Sequence, residues 1–312
     1  MKRLFALILV FVSLVSVAFA NDYIYIANPN PADRLHLRQA PDENSLSLGR
    51  YYNGAPIQRL YFAHSEDWVQ VRVGLGGNSL TGYMKKAFLS DDEQPDAMPQ
   101  YAAVAPVKAY QQPDLLAKQL TIAGGRLVSL MGFCDEWWHI MVHTGTSEGP
   151  YTCFVPAGYP DLISLADGMP VNAYISNPDR TDRLHLRTAP SKNAKSLGKY
   201  YNGTVGTLKG FTADGEWLKV ELYGRTGYMM TDFITIEGKT NRTYYGIPTC
   251  RTTRRTALYH DAGLTDQARI LEQGRDFEVL GLVNENTLHV RLNEPLGEVI
   301  GFVRLQHTSF QD

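Results

Sequence analysis

The chain has 312 residues, with 30 Lys and Arg against 32 Asp and Glu and a formal net charge of −2. That balance, with no Lys/Arg run forming a phosphate-tracking stripe, excludes a nucleic-acid binder and argues against charge-driven adhesion to polyanions. The length excludes one ordinary core, and three cysteines in so long a chain exclude a disulfide-dense scaffold.

Lys2 and Arg3 precede a nearly unbroken apolar run from Leu4 to Val17, and Ala18-Phe19-Ala20 supplies a small-x-small cleavage site ahead of Asn21 and Asp22. This is the pattern of a secretory signal peptide over residues 1–20. The apolar run is shorter than the ~20 residues a membrane span needs. No cysteine follows it for lipid attachment, and no later stretch is apolar enough to cross a bilayer. The expectation is an exported chain, periplasmic or secreted and wall-associated, with no membrane insertion after cleavage. Loss of Lys2 and Arg3 takes its net charge to −4.

The mature chain repeats itself. Asp33-Arg34-Leu35-His36-Leu37-Arg38 recurs unchanged as Asp182-Arg183-Leu184-His185-Leu186-Arg187, an offset of 149. The same offset aligns Ala40-Pro41 with Ala189-Pro190, Tyr51-Tyr52-Asn53-Gly54 with Tyr200-Tyr201-Asn202-Gly203, and Trp68 with Trp217. Beyond the tryptophans the offset falls to 145, Gly82-Tyr83-Met84 answering Gly227-Tyr228-Met229. The extra four residues fall in the Gly-rich turn from Gly74 to Asn78, which reads as a surface loop. Between these matches Gly125-Arg126 answers Gly274-Arg275 and Gly132 answers Gly281, so a second, weaker pair of segments is duplicated too.

Leu35 to Arg38, Trp68 to Val73 and Trp217 to Leu222 alternate apolar and polar residues, the period of strands with one buried face. Asn53-Gly54, Asn202-Gly203, Asp214-Gly215 and Gly224-Arg225 are turn signals between them. Helical periodicity is scarce; Leu115 to Leu120 allows one short turn at most. Charged or Pro/Gly-bearing stretches at Ser90–Gln100, Ala166–Pro170 and Glu237–Thr243 read as linkers. The organisation expected is all-β: a signal peptide (1–20), then units at 22–92, 101–166, 171–238 and 243–312, the second and fourth degenerate. Units this small are near the lower limit for an unassisted core, so most large side chains are needed for packing.

The ordered series Leu-x-Leu-Arg, Ala-Pro, Leu-Gly, Tyr-x-Asn-Gly, Trp with alternating valines, Gly-Tyr-Met, then Phe88-Leu89 or Phe233-Ile234, resembles the bacterial SH3 (SH3b) family. It covers about residues 23–90 and 172–236. Segments 101–165 and 244–310 keep only the end of it. The resemblance implies small, strongly bent SH3-like β-barrels. It also implies the family's usual role: extracytoplasmic modules that bind peptidoglycan cross-bridges or other peptides, often beside a hydrolase domain that is not apparent here.

Tyr51, Tyr52, Trp68 and Tyr83, with Tyr200, Tyr201, Trp217 and Tyr228, form the aromatic set for a groove. Tyr and Trp offer apolar area with a polar handle. Trp68 and Trp217 begin their alternating strands and read first as core. One tyrosine of each Tyr-Tyr pair must face away from the core. Trp137-Trp138 likewise places one ring outward, making Trp137 a further candidate. His36 and His185, between buried leucines, read as solvated face residues. The Asn-Gly pairs read as turn formers, although Asn202-Gly203-Thr204 and Asn241-Arg242-Thr243 match a glycosylation sequon.

Export permits one disulfide. Cys134 and Cys153, on strands that would be neighbours, are the candidate pair, three buried thiols being the alternative. No His, Cys or acidic spacing specifies a metal, and no cofactor is expected. A Cys/His peptidase would need Cys134 with His139 or His143, or Cys250 with His260 or His289; neither cysteine lies in a helical pattern. The reading is therefore a non-catalytic exported protein that binds cell-wall peptide, peptidoglycan or another extended polymer. The alternative is an envelope scaffold for a protein partner.

Overall fold

A computed structural model describes residues 23–60, 65–75, 77–92, 98–145, 149–239 and 246–311. The expected signal peptide and the Asn241 sequon lie outside the described residues. None of the described helices is long and apolar enough to cross a membrane.

The first unit contains β1 (Tyr23–Ile26), β2 (Leu35–Arg38), β3 (Ser47–Tyr51), β4 (Pro56–Arg59), β5 (Trp68–Val73), β6 (Leu80–Lys85) and β7 (Leu89–Ser90). Alternation decides its faces: Leu35 and Leu37 of β2 and Val69, Val71 and Val73 of β5 are buried. The strands run β3-β2-β6-β5-β4-β1-β7, all antiparallel. A short 3₁₀ turn, Lys86–Phe88, delivers the chain from β6 to β7.

This pairing scheme recurs three times. In the second unit β8 (Gln100–Ala103) takes the place of β1. It is followed by β9 (Val107–Tyr110), β10 (Gln119–Ile122), β11 (Leu127–Cys134), β12 (Trp137–His143), β13 (Tyr151–Pro156) and β14 (Leu162–Ser164). The third unit comprises β15 (Asn172–Ile175), β16 (Leu184–Arg187), β17 (Ser196–Tyr200), β18 (Val205–Phe211), β19 (Trp217–Leu222), β20 (Arg225–Met230) and β21 (Ile234–Ile236). The fourth has β22 (Thr249–Arg251), β23 (Thr256–Tyr259), β24 (Gln267–Leu271), β25 (Asp276–Asn284), β26 (Thr287–Glu294) and β27 (Gly297–Arg304). An isolated bridge, Thr252 to Thr308, stands there for the last strand. The expected all-β architecture is thus observed, and Leu115–Leu120 forms no helix.

Asn53-Gly54 does more than turn. Gly54 sits at φ 80, a left-handed conformation suited to glycine. The Asn53 side chain reaches the backbone of Asn28 twice: Nδ2 donates to its carbonyl (2.8 Å) and Oδ1 accepts from its N–H (2.9 Å). Asn202 repeats both bonds to Asn177 at 2.7 Å. The Asn202 sequon is buried.

The units are not beads on a string. β3 pairs with β11 (Tyr51 with Gly132), and β17 pairs with β25 (Tyr200 with Gly281), so each half is one continuous sheet, 14-stranded in the first half and 13-stranded in the second. Cores cross these seams. Met131, Cys134, Met141 and Phe154 of the second unit pack into the core of the first. Leu280 of the fourth joins the core of the third, as do Ala102 and Leu127 from the first half. Small units that cannot bury enough apolar area alone gain it from their neighbours. Across the halves, the Gln100 side chain imitates a strand partner: Nε2 donates to the Phe211 carbonyl (2.7 Å) and Oε1 accepts from its N–H (3.0 Å).

Two expectations need correction. The described residues of the Gly74–Asn78 insertion do not stand free at the surface: the Thr152 hydroxyl accepts from the Leu75 N–H (2.8 Å) and Asn78 Nδ2 donates to the Thr152 carbonyl (2.8 Å). It covers the seam beside His139. In the second half, where the insertion is missing, Tyr223 lies edge-on against the corresponding His289 at 5.7 Å. The Cys134–Cys153 pair is not formed; all three cysteines are free and buried. β12 separates their strands, Cys134 lying opposite Trp137 and Cys153 opposite Ile140, in two different cores.

Candidate functional site

The first tyrosine of each Tyr-Tyr pair is structural. Tyr51 and Tyr200 are fully buried at the seams. The Tyr51 hydroxyl lies 3.1 Å from His139 Nδ1 and 3.5 Å from Cys134 Sγ. The Tyr200 hydroxyl lies 3.3 Å from His289 Nδ1 and accepts from Arg225 Nη1 at 3.1 Å. Each histidine stacks on a phenylalanine: His139 on Phe154 at 4.2 Å and His289 on Phe302 at 4.4 Å. Tyr51 and Tyr200 are therefore removed from the groove set. Trp68 and Trp217 are core side chains with only 9% and 6% of their surface exposed.

Burial disfavours the imidazolium, lowering the pKa of His139 to about 3, of His289 to about 3 and of His143 to about 4. In the unfolded chain each titrates near 6.5. The fold thus holds the neutral forms. Their contribution is complete above pH 6.5 and is lost as pH falls towards 3–4, at about 1.4 kcal/mol per pH unit for each histidine. The melting temperature should fall steadily between pH 6.5 and 4.5, and His139→Gln should reduce that slope. A melting temperature that is flat over this interval would contradict the buried-imidazole assignment.

Burial also pushes the Cys134 thiol to about 11 and those of Cys153 and Cys250 to about 12. An activated cysteine needs the opposite shift, so the Cys134–Tyr51–His139 chain has the character of a packed seam.

The second tyrosines face out. Tyr52 is half-buried with the Arg34 guanidinium 4.0 Å over its ring and Phe133 tilted against it at 5.7 Å. The Tyr201 hydroxyl accepts from Arg183 at 3.2 Å, and its ring meets Phe310 edge-on. Tyr83 and Tyr228 stand half-buried opposite Arg38 and Arg187. Neither ring of Trp137-Trp138 stands alone: Trp137 packs edge-on against Tyr110 (5.2 Å) and Trp138 tilts on Tyr101 (5.1 Å), both half-buried.

Only some of these residues converge. Tyr52 of the first unit and Tyr228 of the third line one groove of about 730 Å³ between the halves, together with Tyr101 and Phe211. Lys209 and Lys219 supply positive charge and Asp167 negative charge along it. Burial, then Tyr52 and Asp167, raise the pKa of the Tyr101 hydroxyl, which stays a hydrogen-bond donor. Trp217 lies instead in a separate groove of about 470 Å³ with Met230 and His143. Trp68 lines a third, with Arg38 and Arg50. Sequence reading missed Tyr101 and Phe211, which lie 110 residues apart with no shared local pattern.

Flat rings with hydroxyl handles, in an open channel carrying both charges, suit an extended, partly polar chain better than a compact apolar molecule. Among curated proteins, none matches the chain. Residues 182–235 match the bacterial SH3 domain family, and they span β16 to β20 and most of β21, including Trp217 and Tyr228. The third unit therefore contains a bacterial SH3 domain, a binding module that commonly engages the cell wall.

Proposed function

We propose that this is an exported, multivalent binding protein in which all four units are SH3b modules, the second and fourth degenerate. Its ligand is cell-wall peptide or peptidoglycan, held in the tyrosine groove between the halves. The observation that carries this reading is the convergence of Tyr52, Tyr101 and Tyr228, from three different units, on one open groove. The recurrence of one strand-pairing scheme supports the module count. Export rests on the N-terminal pattern of residues 1–20. Multivalency follows from the repeats, since modules fixed on one frame raise one another's effective ligand concentration.

Calorimetric titration with soluble peptidoglycan fragments tests it. Tyr52→Ala/Tyr228→Ala should weaken binding about tenfold or more, two aromatic contacts each being worth about 1 kcal/mol. Unchanged affinity would sink the groove assignment.

The scaffold reading has its own support. Tyr51 and Tyr200 are buried between units, which makes each half a rigid body able to present a surface to a protein partner.

A further inference from the structure

The charge that is scattered in sequence is gathered in the fold. On β2 the outward residues are His36 and Arg38; on β3 the outward residue is Arg50, directly opposite His36. Arg34 and Lys85 close the ends, and Trp68 lines the groove, whose volume is about 630 Å³. Lys85 is paired with Glu43. Among the described residues, Arg34, Arg38 and Arg50 have no carboxylate partner. Arg34 and Arg38 are held in place by backbone carbonyls, their Nη1 atoms donating to Ala32 (2.7 Å) and Ser45 (2.7 Å) respectively. Arg34 Nε is buried without a partner. His36 Nδ1 is engaged by Ser47 Oγ at 2.8 Å, which fixes the ring and leaves Nε2 for another group.

We propose that this groove binds the carboxylate of a peptide, as a site distinct from the tyrosine groove. Three guanidinium groups with no carboxylate partner among the described residues, beside one fixed imidazole, outnumber the carboxylates of Asp33 and Glu43 in the same lining and leave it net positive, and guanidinium forks match a carboxylate in geometry. Half-buried Phe88, with the small exposed edge of Trp68, gives the residue bearing the carboxylate an apolar surface. The field is felt within the fold: after burial, Arg38 and Arg50 are the groups that lower the His36 pKa. The second half keeps the core of the arrangement, His185 bonding Ser196 (2.9 Å) and facing Lys199, with Arg187 on the same strand. There Met230 stands where the first half has Lys85, and Lys192 where it has Glu43. The first-half groove is the one assigned here.

The test uses the whole mature chain and three probes: acetyl-alanyl-alanine, its C-terminal amide, and inorganic phosphate. Nuclear magnetic resonance follows the Trp68 indole N–H and the His36 ring. The free acid should shift both signals saturably, and the amide should not. Arg50→Gln should weaken the acid about tenfold, the scale of one charged hydrogen bond, and Arg50→Glu should abolish its binding. Arg50 is exposed and bonds to no described side chain, so its variants should melt as the parent does. Shifts from the acid that survive Arg50→Glu, or equal shifts from acid and amide, overturn the proposal. Phosphate binding as tightly as the acid overturns the peptide assignment and leaves a general oxyanion site. Loss of peptidoglycan binding in Tyr228→Ala, which leaves the Arg34–Tyr52 stack in place, with acid binding intact would show that the two sites stand or fall separately.

Discussion

Tyr51→Ala lowers the unfolding free energy by about 3–5 kcal/mol in chemical denaturation, as expected for deleting a fully buried aromatic ring that neighbours cannot refill. Tyr51 is 0% exposed, sits where β3 meets β11, and contacts residues from two units. Its removal opens a cavity against His139 and Cys134 and leaves His139 Nδ1 without its hydroxyl partner. Tyr51→Phe keeps the ring and removes only the hydroxyl, so it costs about 1–3 kcal/mol, the penalty of an unsatisfied buried polar group. Tyr200→Ala repeats the result in the second half, where Arg225 also loses its acceptor. Tyr52→Ala, one residue along on a half-buried ring, serves as the contrast and stays within about 1 kcal/mol of the parent. A Tyr51→Ala cost below 1 kcal/mol would mean that the seam does not join the units.

Gly132→Ala and Gly281→Ala are the second expected pair of large effects. A Cβ on Gly132 would stand 2.4 Å from the Arg50 carbonyl oxygen and 2.6 Å from Tyr51 Cδ1; on Gly281 it would stand 2.4 Å from the Lys199 carbonyl oxygen and 2.8 Å from Tyr200 Cδ1. The nearest atom is backbone in a paired strand, which cannot rotate away. The seam must open, at a cost of about 1–3 kcal/mol or more. Gly77→Ala, where a Cβ meets nothing within 4 Å, is the control and should be neutral. Equal stability of Gly132→Ala and Gly77→Ala would contradict the close approach of β3 and β11.

Sequence made the strands and the repeat readable because both are local or periodic. The leucines of Leu35-His36-Leu37-Arg38 are buried as their alternation implies, and the identical copy at 184–187 follows suit. The seams were not readable, although Gly132 and Gly281 stood out at the 149-residue offset. Alternation cannot say which strand lies beside which, so a glycine whose hydrogen faces another unit's backbone resembles any other. The same gap left open which tyrosine of each Tyr-Tyr pair faces the core and made Cys134 and Cys153 look like neighbours. The cationic groove was invisible for a different reason. Arg34, Arg38 and Arg50 are spaced along two strands and a turn, so no unbroken basic run marks the groove, and only cross-strand register brings His36 and Arg50 face to face. The tyrosine groove draws on both halves at once and has no sequence window at all.

The most direct test of the binding account is co-sedimentation of the mature chain with purified peptidoglycan at low and high salt. The account predicts retention at both salts, because aromatic contacts are screened far less than surface charge, and loss of retention in Tyr52→Ala/Tyr228→Ala. Absence of the parent chain from the pellet, or a double variant retained as well as the parent, would contradict it.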